Sequence, residues 1–257
     1  MSLTPFTMKL DLAGELAEEL NIEDVFSFDI GGVTVSVDES TVVGWIIIVA
    51  MTVIALLLTR KLKVTGEITR RQALLELAYE KAEGFFKGLM CEKLSGFIPW
   101  LMSMALFIGI SNIIGLFGFK PPTKSMQVTA AMALTSIFLV EFAGFKFKGF
   151  KGRLKGFAEP IWIITPINVL ELFTKPLSLC MRLFGNVLAA FTIMELVKIV
   201  TRNIVIPVAF SLYFDIFDGL LQAYIFVFLT ALYLQEAVEE PEPKEKKEKK
   251  KRKKANA

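Results

Sequence analysis

The stretch VVGWIIIVAMTVIALLLT, residues 42–59, contains 18 consecutive positions without a charged side chain. A helix rises about 1.5 Å per residue, so these residues reach about 27 Å, close to the roughly 30 Å hydrocarbon core of a bilayer. Three basic residues, Arg60, Lys61 and Lys63, follow almost directly. The pattern predicts a transmembrane helix with a basic flank.

The composition of the whole chain agrees with a membrane location. Of the 257 residues, 54% are hydrophobic and only 21% are charged, and phenylalanine occurs 23 times. Water-soluble cores rarely need uncharged apolar runs as long as those in this chain. We therefore expect an integral membrane protein and not a soluble globular enzyme.

The chain has no histidine and only two cysteines. Histidine is the commonest general base and metal ligand, so Ser–His, Cys–His and His–zinc chemistry are excluded. Cys91 and Cys180 lie in separate stretches without CxxC spacing. We expect both to be small buried apolar side chains, with no disulfide, metal site or cofactor.

Further apolar segments follow the first one along the chain. Residues 97–118 and 126–145 are separated by KPPTK, where two prolines predict a turn. Residues 160–200 and 204–235 form the last pair. Residues 204–233 alone would reach roughly 45 Å if helical, too long for a perpendicular span, so we expect the last two helices to be strongly tilted. Residues 67–95 mix apolar and charged side chains, which predicts an amphipathic helix on the membrane surface. The predicted fold is all-α, with about five transmembrane helices plus this surface helix.

Basic segments predict the orientation of these helices. The bases after the first span, those of the predicted loop at residues 146–155 and those of the KKEKKKRKK tail are all expected on the cytoplasmic side, and five crossings satisfy all three. Residues 1–41 then form an acidic extracytoplasmic segment, 42–235 a membrane domain and 236–257 a disordered cytoplasmic tail. The first twenty residues lack a basic region followed by an apolar one, so we expect no cleavable signal peptide.

Charged side chains inside the predicted spans are candidate functional residues, because each costs about 2.5–3.5 kcal/mol at the bilayer centre. Arg182, in PLSLCMRLFGNVLAAF, is far from both ends of its apolar stretch, and a guanidinium stays protonated. Either it pairs with Glu171 or a neighbouring helix to fix packing, or it has a function inside the membrane. Asn186 shares its face one turn on, and Glu195 lies about 220° around the same helix.

Asp215, Asp218 and Gln222 in the last span are spaced to form one polar stripe on an α-helix. Two carboxylates and an amide on an apolar rod predict a water-filled path, and a polar packing seam is the alternative. An intramembrane enzyme lacks support, because the chain has neither histidine nor a GxSxG motif. A stand-alone channel or secondary transporter remains an alternative, although no internal repeat is evident.

Two segments carry a resemblance to a known family: TPINVLELFTKPLSLCMRLFGNVLAAF, residues 165–191, and LLQAYIFVFLTALYL, residues 220–234. Over roughly residues 40–235 the chain resembles the subunit a family of the F-type ATP synthase membrane sector, and the SLxxRLFGN core is specific to it. The resemblance implies a stator whose last two tilted helices curve around a ring of c subunits. It also implies b subunits of a peripheral stalk and the lipid bilayer as partners, no nucleic acid, no site for ATP chemistry, and a multi-pass protein of a bacterial plasma membrane.

The resemblance also implies individual roles at the inner side of the path. Arg182 aligns with the family's essential arginine, which faces the carboxylate of each passing c subunit and blocks direct leakage between two aqueous half-channels. Asn168 falls where many members carry a carboxylate in the inner, cytoplasmic half-channel, with Glu171 one turn on.

The outer half-channel departs from the family pattern at two positions, those of Phe191 and Asp215. Many members have an acid at the position of Phe191, and Glu195, one turn later, is predicted to replace it. Asp215 matches a position that is often histidine or an acid, and Asn186 and Gln222 match positions next to the arginine. The predicted outer half-channel comprises Asn186, Glu195, Asp215, Asp218 and Gln222.

Overall fold

A computed structural model of the chain describes residues 24–30, 33–60, 62, 69–117, 119–158, 165–201, 208 and 210–238. Most of the predicted acidic segment and most of the predicted disordered tail lie outside the described residues. The helix that leads into this tail continues to Val238, beyond the predicted end of the membrane domain at residue 235.

A β-hairpin precedes the first helix. Strand β1, Asp24–Ile30, pairs antiparallel with β2, Val33–Asp38, and Ile30 lies opposite Val33. Each strand contains β-branched or aromatic residues at alternate positions, a pattern that fits a pleated surface. The hairpin was not predicted from the sequence, in which this region is marked by its acidic residues.

Six α-helices follow within the described residues. They are α1 Glu39–Thr59, α2 Arg70–Leu89, α3 Ile98–Ile113, α4 Met126–Ala158, α5 Thr165–Thr201 and α6 Gly219–Val238. Short 3₁₀ segments are Glu92–Phe97, Ile114–Phe117 and Pro122–Lys124, and a π-helix, Leu212–Asp218, runs directly into α6. Segments long and apolar enough to cross a membrane are Glu39–Thr59, Glu92–Phe117, Met126–Gly149, Thr165–Met194 and Leu212–Val238. The predicted all-α membrane fold with five spanning helices is confirmed.

Helix α2 has 20 residues, but among the described helices that are long enough to cross a membrane it alone is not apolar enough to be a spanning candidate. The Thr69 hydroxyl accepts a hydrogen bond from the Gln72 backbone N–H at 3.4 Å and so caps its first turn. The helix ends at Leu89, so it is shorter than the amphipathic helix predicted for residues 67–95. Its side chains are mostly exposed, and they include the apolar Leu74 and Leu77.

Helix α4 bends sharply near its end. Gly149 has φ 70°, a left-handed conformation that glycine adopts without steric cost. Residues 146–155, predicted as a loop, are helical on both sides of this bend. The bend brings Arg153 back to Glu141, where its Nη2 and Nε donate to the two carboxylate oxygens at 2.7 and 3.1 Å.

The hydrophobic core lies between α3, α4, α5 and α6. Helix α6 packs against α3 and α4, and α4 packs along α5. Fully buried members of this core are Leu94, Leu101, Ile108, Leu179, Leu183, Ala231 and Leu234. Cys180 is buried as predicted, whereas Cys91 is only half-buried. Helix α1 stands at one side of the bundle, and its membrane-spanning surface is largely exposed.

Candidate ion path

Arg182 lies in the middle of α5 and is half-buried. Its guanidinium makes no hydrogen bond or ion pair with any residue that the structure describes. The Glu171 carboxylate instead lies 3.3 Å from the Lys175 ammonium. Pairing of Arg182 with Glu171 is therefore not the arrangement found, and the guanidinium donors remain available to a partner outside the described chain.

One turn from Arg182, a hydrogen bond joins the two helices of the predicted path. The Asn186 Nδ2 on α5 donates to the Gln222 Oε1 on α6 at 2.9 Å. Gln222 is only 2% exposed, and its Nε2 has no hydrogen-bond partner within the described part of the chain. The structure thus brings together two of the predicted path residues and leaves a buried donor beside them.

The predicted stripe of Asp215, Asp218 and Gln222 needs a correction. Leu212–Asp218 is a π-helix, with hydrogen bonds from i to i+5, so the α-helical spacing assumed between Asp215 and Asp218 does not apply there. The α-helical spacing applies only from Asp218 to Gln222. π-helical turns are frequent at functional sites, where they change the direction of side chains. The side chains of Asp215 and Glu195 lie outside the described part of the structure.

A buried polar contact fixes α6 next to Asp218. Asn112 on α3 donates through its Nδ2 to the Gly219 carbonyl at 3.0 Å, and its Oδ1 accepts from the Thr123 hydroxyl at 2.7 Å. Asn112 is 5% exposed and Thr123 is fully buried. Sequence reasoning missed both residues, because neither belongs to a motif and the two partners of Asn112 are distant in sequence.

The KPPTK turn is held at the same end of the bundle. Ser125 donates through its hydroxyl to the Asp38 carboxylate at 2.7 Å, and the Lys120 ammonium lies 2.9 Å from the Glu39 carboxylate. Both contacts tie the turn to the junction of β2 and α1. Glu39 at this junction therefore balances the positive charge of Lys120.

The other end of the path is held by a shared lysine. Lys175 donates from its ammonium to both carboxylate oxygens of Glu236 at 2.8 and 2.9 Å, in addition to its contact with Glu171. It also lies 5.2 Å from the centre of the Tyr233 ring. Lys175 thus links α5 to the end of α6 and places a positive charge beside Glu171. Asn168, one turn before Glu171, is half-buried.

The sequence that forms these helices and contacts matches a known protein family. Residues 41–235, which include every site residue described above except Asp38, Glu39 and Glu236, match the family model described as ATP synthase A chain. The chain belongs to this family. The match covers the five spanning segments almost completely, from the third residue of α1 to within three residues of the end of α6.

Individual relatives support the same assignment. "ATP synthase subunit a 2" of Bradyrhizobium sp. is 32% identical over 212 residues, which cover 82% of this chain and 92% of the relative. "ATP synthase subunit a" of Geobacter sulfurreducens is 31% identical over 201 residues, covering 76% of this chain and 86% of the relative. "ATP synthase subunit a, sodium ion specific" of Propionigenium modestum is 29% identical over 214 residues, covering 77% and 73%.

Family membership and the five spanning helices together define the role of the chain. It is a multi-pass membrane protein that serves as the ion-conducting stator component in the membrane sector of an F-type ATP synthase. It works in a complex with other subunits of that sector.

Proposed function

We propose that the chain carries H⁺ or Na⁺ between two aqueous half-channels and the carboxylates of a rotating c-subunit ring, with Arg182 as the charge that separates the channels. The observation that carries this proposal is the position of Arg182 and the absence of a described partner for its guanidinium. A permanent cation lies mid-helix in a spanning segment and has no hydrogen bond or ion pair among the described residues. Because an isolated intramembrane charge is costly, a partner from outside the chain is expected.

A carboxylate on the passing ring is the partner that this geometry fits. A guanidinium next to a carboxylate favours the ionised form and binds it with two parallel hydrogen bonds. The ring carboxylate is therefore stripped of its ion as it passes Arg182. The same fixed charge repels a cation that would move straight from one half-channel to the other, so ions must travel with the ring.

The inner half-channel is assigned to Asn168 and Glu171. The contact between Glu171 and Lys175 supports this assignment, because it holds the Glu171 carboxylate at this end of the path. The side chains of Glu171 and Glu236 are partly exposed, as a water-accessible opening requires.

The outer half-channel is assigned to polar residues of α5, the π-helix and α6. These are Asn186, Glu195, Asp215, Asp218 and Gln222. The Asn186–Gln222 hydrogen bond supports the part closest to Arg182, and the buried Gln222 Nε2 offers a donor to water in the path. Gln222 thereby positions Asn186 on the face that carries Arg182.

Orientation and partners complete the proposal. The basic segments support a carboxyl terminus in the cytoplasm and an amino terminus outside, and the plasma membrane of a bacterium is the proposed location. The c ring contacts α5 and α6. A groove of about 630 Å³ between α1, α3 and α4, lined by apolar residues that include Trp45, Ile48, Trp100 and Phe107, supports docking of the b subunits beside α1.

The experiment that tests this function uses membrane vesicles that carry the complete complex. Arg182→Ala is compared with wild type and with Arg70→Ala, which removes an arginine from the exposed surface of α2. ATP-driven pumping is followed with a pH-sensitive dye and with labelled Na⁺, and assembly is checked by co-purification of the c ring. We expect Arg182→Ala to assemble and to lose pumping, while Arg70→Ala pumps normally.

Two results would count against the proposal. Normal pumping by assembled Arg182→Ala would make the arginine a packing residue and remove the mechanism. Ion conduction by the isolated chain, without a c ring, would favour the alternative of a stand-alone channel or transporter. Glu195→Gln, measured in the same assay, decides whether Glu195 belongs to the outer half-channel.

A further inference from the structure

Lys175 on α5 contacts two carboxylates and an aromatic ring at the inner end of the bundle. Its ammonium donates to both Glu236 oxygens on α6 at 2.8 and 2.9 Å and lies 3.3 Å from the Glu171 carboxylate on its own helix. The centre of the Tyr233 ring, also on α6, lies 5.2 Å away. The Lys175 side chain is only 24% exposed, so these contacts define its position. Lys175 therefore joins α5 to the end of α6.

Arg182 lies between this contact and another contact of α5 with α6. Lys175 precedes Arg182 by seven residues, which is about two helical turns or 10 Å, and so lies on nearly the same face. Asn186 follows Arg182 by one turn on that face and donates to Gln222. A single contact fixes one point of a helix, whereas two contacts also fix its direction. The height and rotation of Arg182 relative to α6 are therefore set from both sides.

Pro176 interrupts the hydrogen bonding of α5 directly after Lys175. Proline has no backbone N–H, so the Leu172 carbonyl cannot receive its usual bond from residue 176, and a helix bends more easily at such a position. The Glu171–Lys175 pair spans this turn, and the Lys175–Glu236 pair holds it to α6. Lys175 thus makes its contacts at a point where α5 bends easily.

Close packing alone does not hold α5 to α6 at this level. A cavity of about 30 Å³ lies between α4, α5 and α6, and Lys175, Tyr233 and Glu236 line it together with Glu141 of α4. This volume is large enough for one water molecule, and the charged lining makes the cavity polar. Because side chains leave this space unfilled, the ion pair carries much of the link between the two helices.

We infer that Lys175 is a positioning residue for Arg182, and that its ion pair with Glu236 keeps the proline-interrupted part of α5 against α6. This inference rests on the proposed role of Arg182 as the charge that separates the half-channels. When the pair is broken, α5 can bend at Pro176, and Arg182 moves away from the path of the ring carboxylates. Cations then pass directly from one half-channel to the other, without travelling on the ring.

The test measures passive entry of H⁺ or Na⁺ into proteoliposomes that contain the complete complex, without nucleotide and under a constant K⁺ diffusion potential. Lys175→Met removes the charge and keeps a long side chain, and Lys175→Arg keeps the charge. Glu236→Gln removes the partner on α6, while Glu171 keeps its contact with Lys175. Lys87→Met is the matched control, because Lys87 forms a 3.0 Å ion pair with Glu83 on α2, a helix outside the proposed path.

Breaking the pair should raise the passive leak of each assembled complex. A partly exposed ion pair shifts an equilibrium about two- to fivefold, so the leak should rise by about that factor in Lys175→Met and in Glu236→Gln. Lys175→Arg and Lys87→Met should stay close to wild type. The double variant should leak no more than Lys175→Met alone, because both changes break the same pair. A merely structural role would instead reduce co-purification of the c ring and leave the leak of each assembled complex unchanged.

Each remaining outcome decides the inference. A wild-type leak in assembled Lys175→Met or Glu236→Gln would overturn it, and so would an equal rise in Lys87→Met or additive rises in the double variant. If Lys175→Met does not assemble, Glu236→Gln decides alone, since the Glu236 side chain is 59% exposed and its replacement leaves the core intact. Normal pumping by Arg182→Ala would overturn the proposed function itself. Loss of pumping in Arg182→Ala, together with wild-type leaks in the Lys175 and Glu236 variants, would overturn only this inference.

Discussion

Replacing Gly219 by alanine tests the close contact between α3 and the start of α6. A Cβ atom at Gly219 would lie 2.7 Å from the Asn112 Cβ, about 1 Å inside the normal distance between two carbon atoms. Asn112 cannot retreat freely, because its side chain bonds both the Gly219 carbonyl and the Thr123 hydroxyl. The added methyl group must therefore push α6 away from α3 or break a buried hydrogen bond.

The size of the effect follows from these contacts. Overpacking of this kind costs about 1–3 kcal/mol, and a buried amide left without its partner costs about 1–3 kcal/mol more. Alanine regains up to about 1 kcal/mol of helix propensity relative to glycine. We expect a net loss of about 1–5 kcal/mol in the free energy of unfolding, and reduced ion pumping because the shift reaches the neighbouring Asp218.

Gly109→Ala is the matched control in the same interface. A Cβ at Gly109 would lie 3.6 Å from the Leu220 Cδ2, which is an ordinary van der Waals distance. This variant gains the same helix propensity without the clash, so it should be neutral or slightly stabilising. The assay is the temperature at which half of the purified complex loses this subunit. Equal temperatures for the two variants would refute the argument from the Asn112 contact.

Two further predictions concern contacts between distant residues. Asn186→Leu should lower the free energy of unfolding by about 1–3 kcal/mol, because it leaves the buried Gln222 amide without its partner. Adding Gln222→Leu should restore thermal stability but not pumping. Restored pumping in the double variant would show that the pair serves packing alone. Glu141→Gln and Arg153→Gln should show a coupling energy of about 1–2 kcal/mol in a double-mutant cycle of thermal stability, because their bidentate pair is largely buried. Additive effects would show that this ion pair does not hold the bend at Gly149.

Sequence patterns were sufficient to predict the spanning helices. Each predicted span overlaps a spanning segment of the structure, because the requirement to bury about twenty apolar residues in lipid acts on contiguous sequence. Local signals were less informative at the ends of elements. Residues 146–155 read as a basic loop, yet only Gly149 leaves the helical conformation, since lysine and arginine are good helix formers.

The missed hairpin had a local signal. DVFSFDI and VTVSVD alternate apolar and polar residues and are separated by Gly31 and Gly32, a pair typical of two-residue hairpin turns. The π-helix is different, because no residue in LYFDIFD marks a change from α-helical hydrogen bonding, and its effect on the Asp215 and Asp218 spacing was not predictable.

The sequence by itself determined the all-α membrane fold, the five spanning segments and the motif around Arg182, because hydropathy and the SLxxRLFGN core are written in contiguous residues. Tertiary structure alone decided that Asn186 meets Gln222, 36 residues away, that Asn112 meets Gly219, 107 residues away, and that Lys124 reaches Phe191. These contacts depend on how helices pack side by side. Packing is set by the shape and polarity of whole helix faces, and residue spacing along one helix carries no information about the partner that its face will meet.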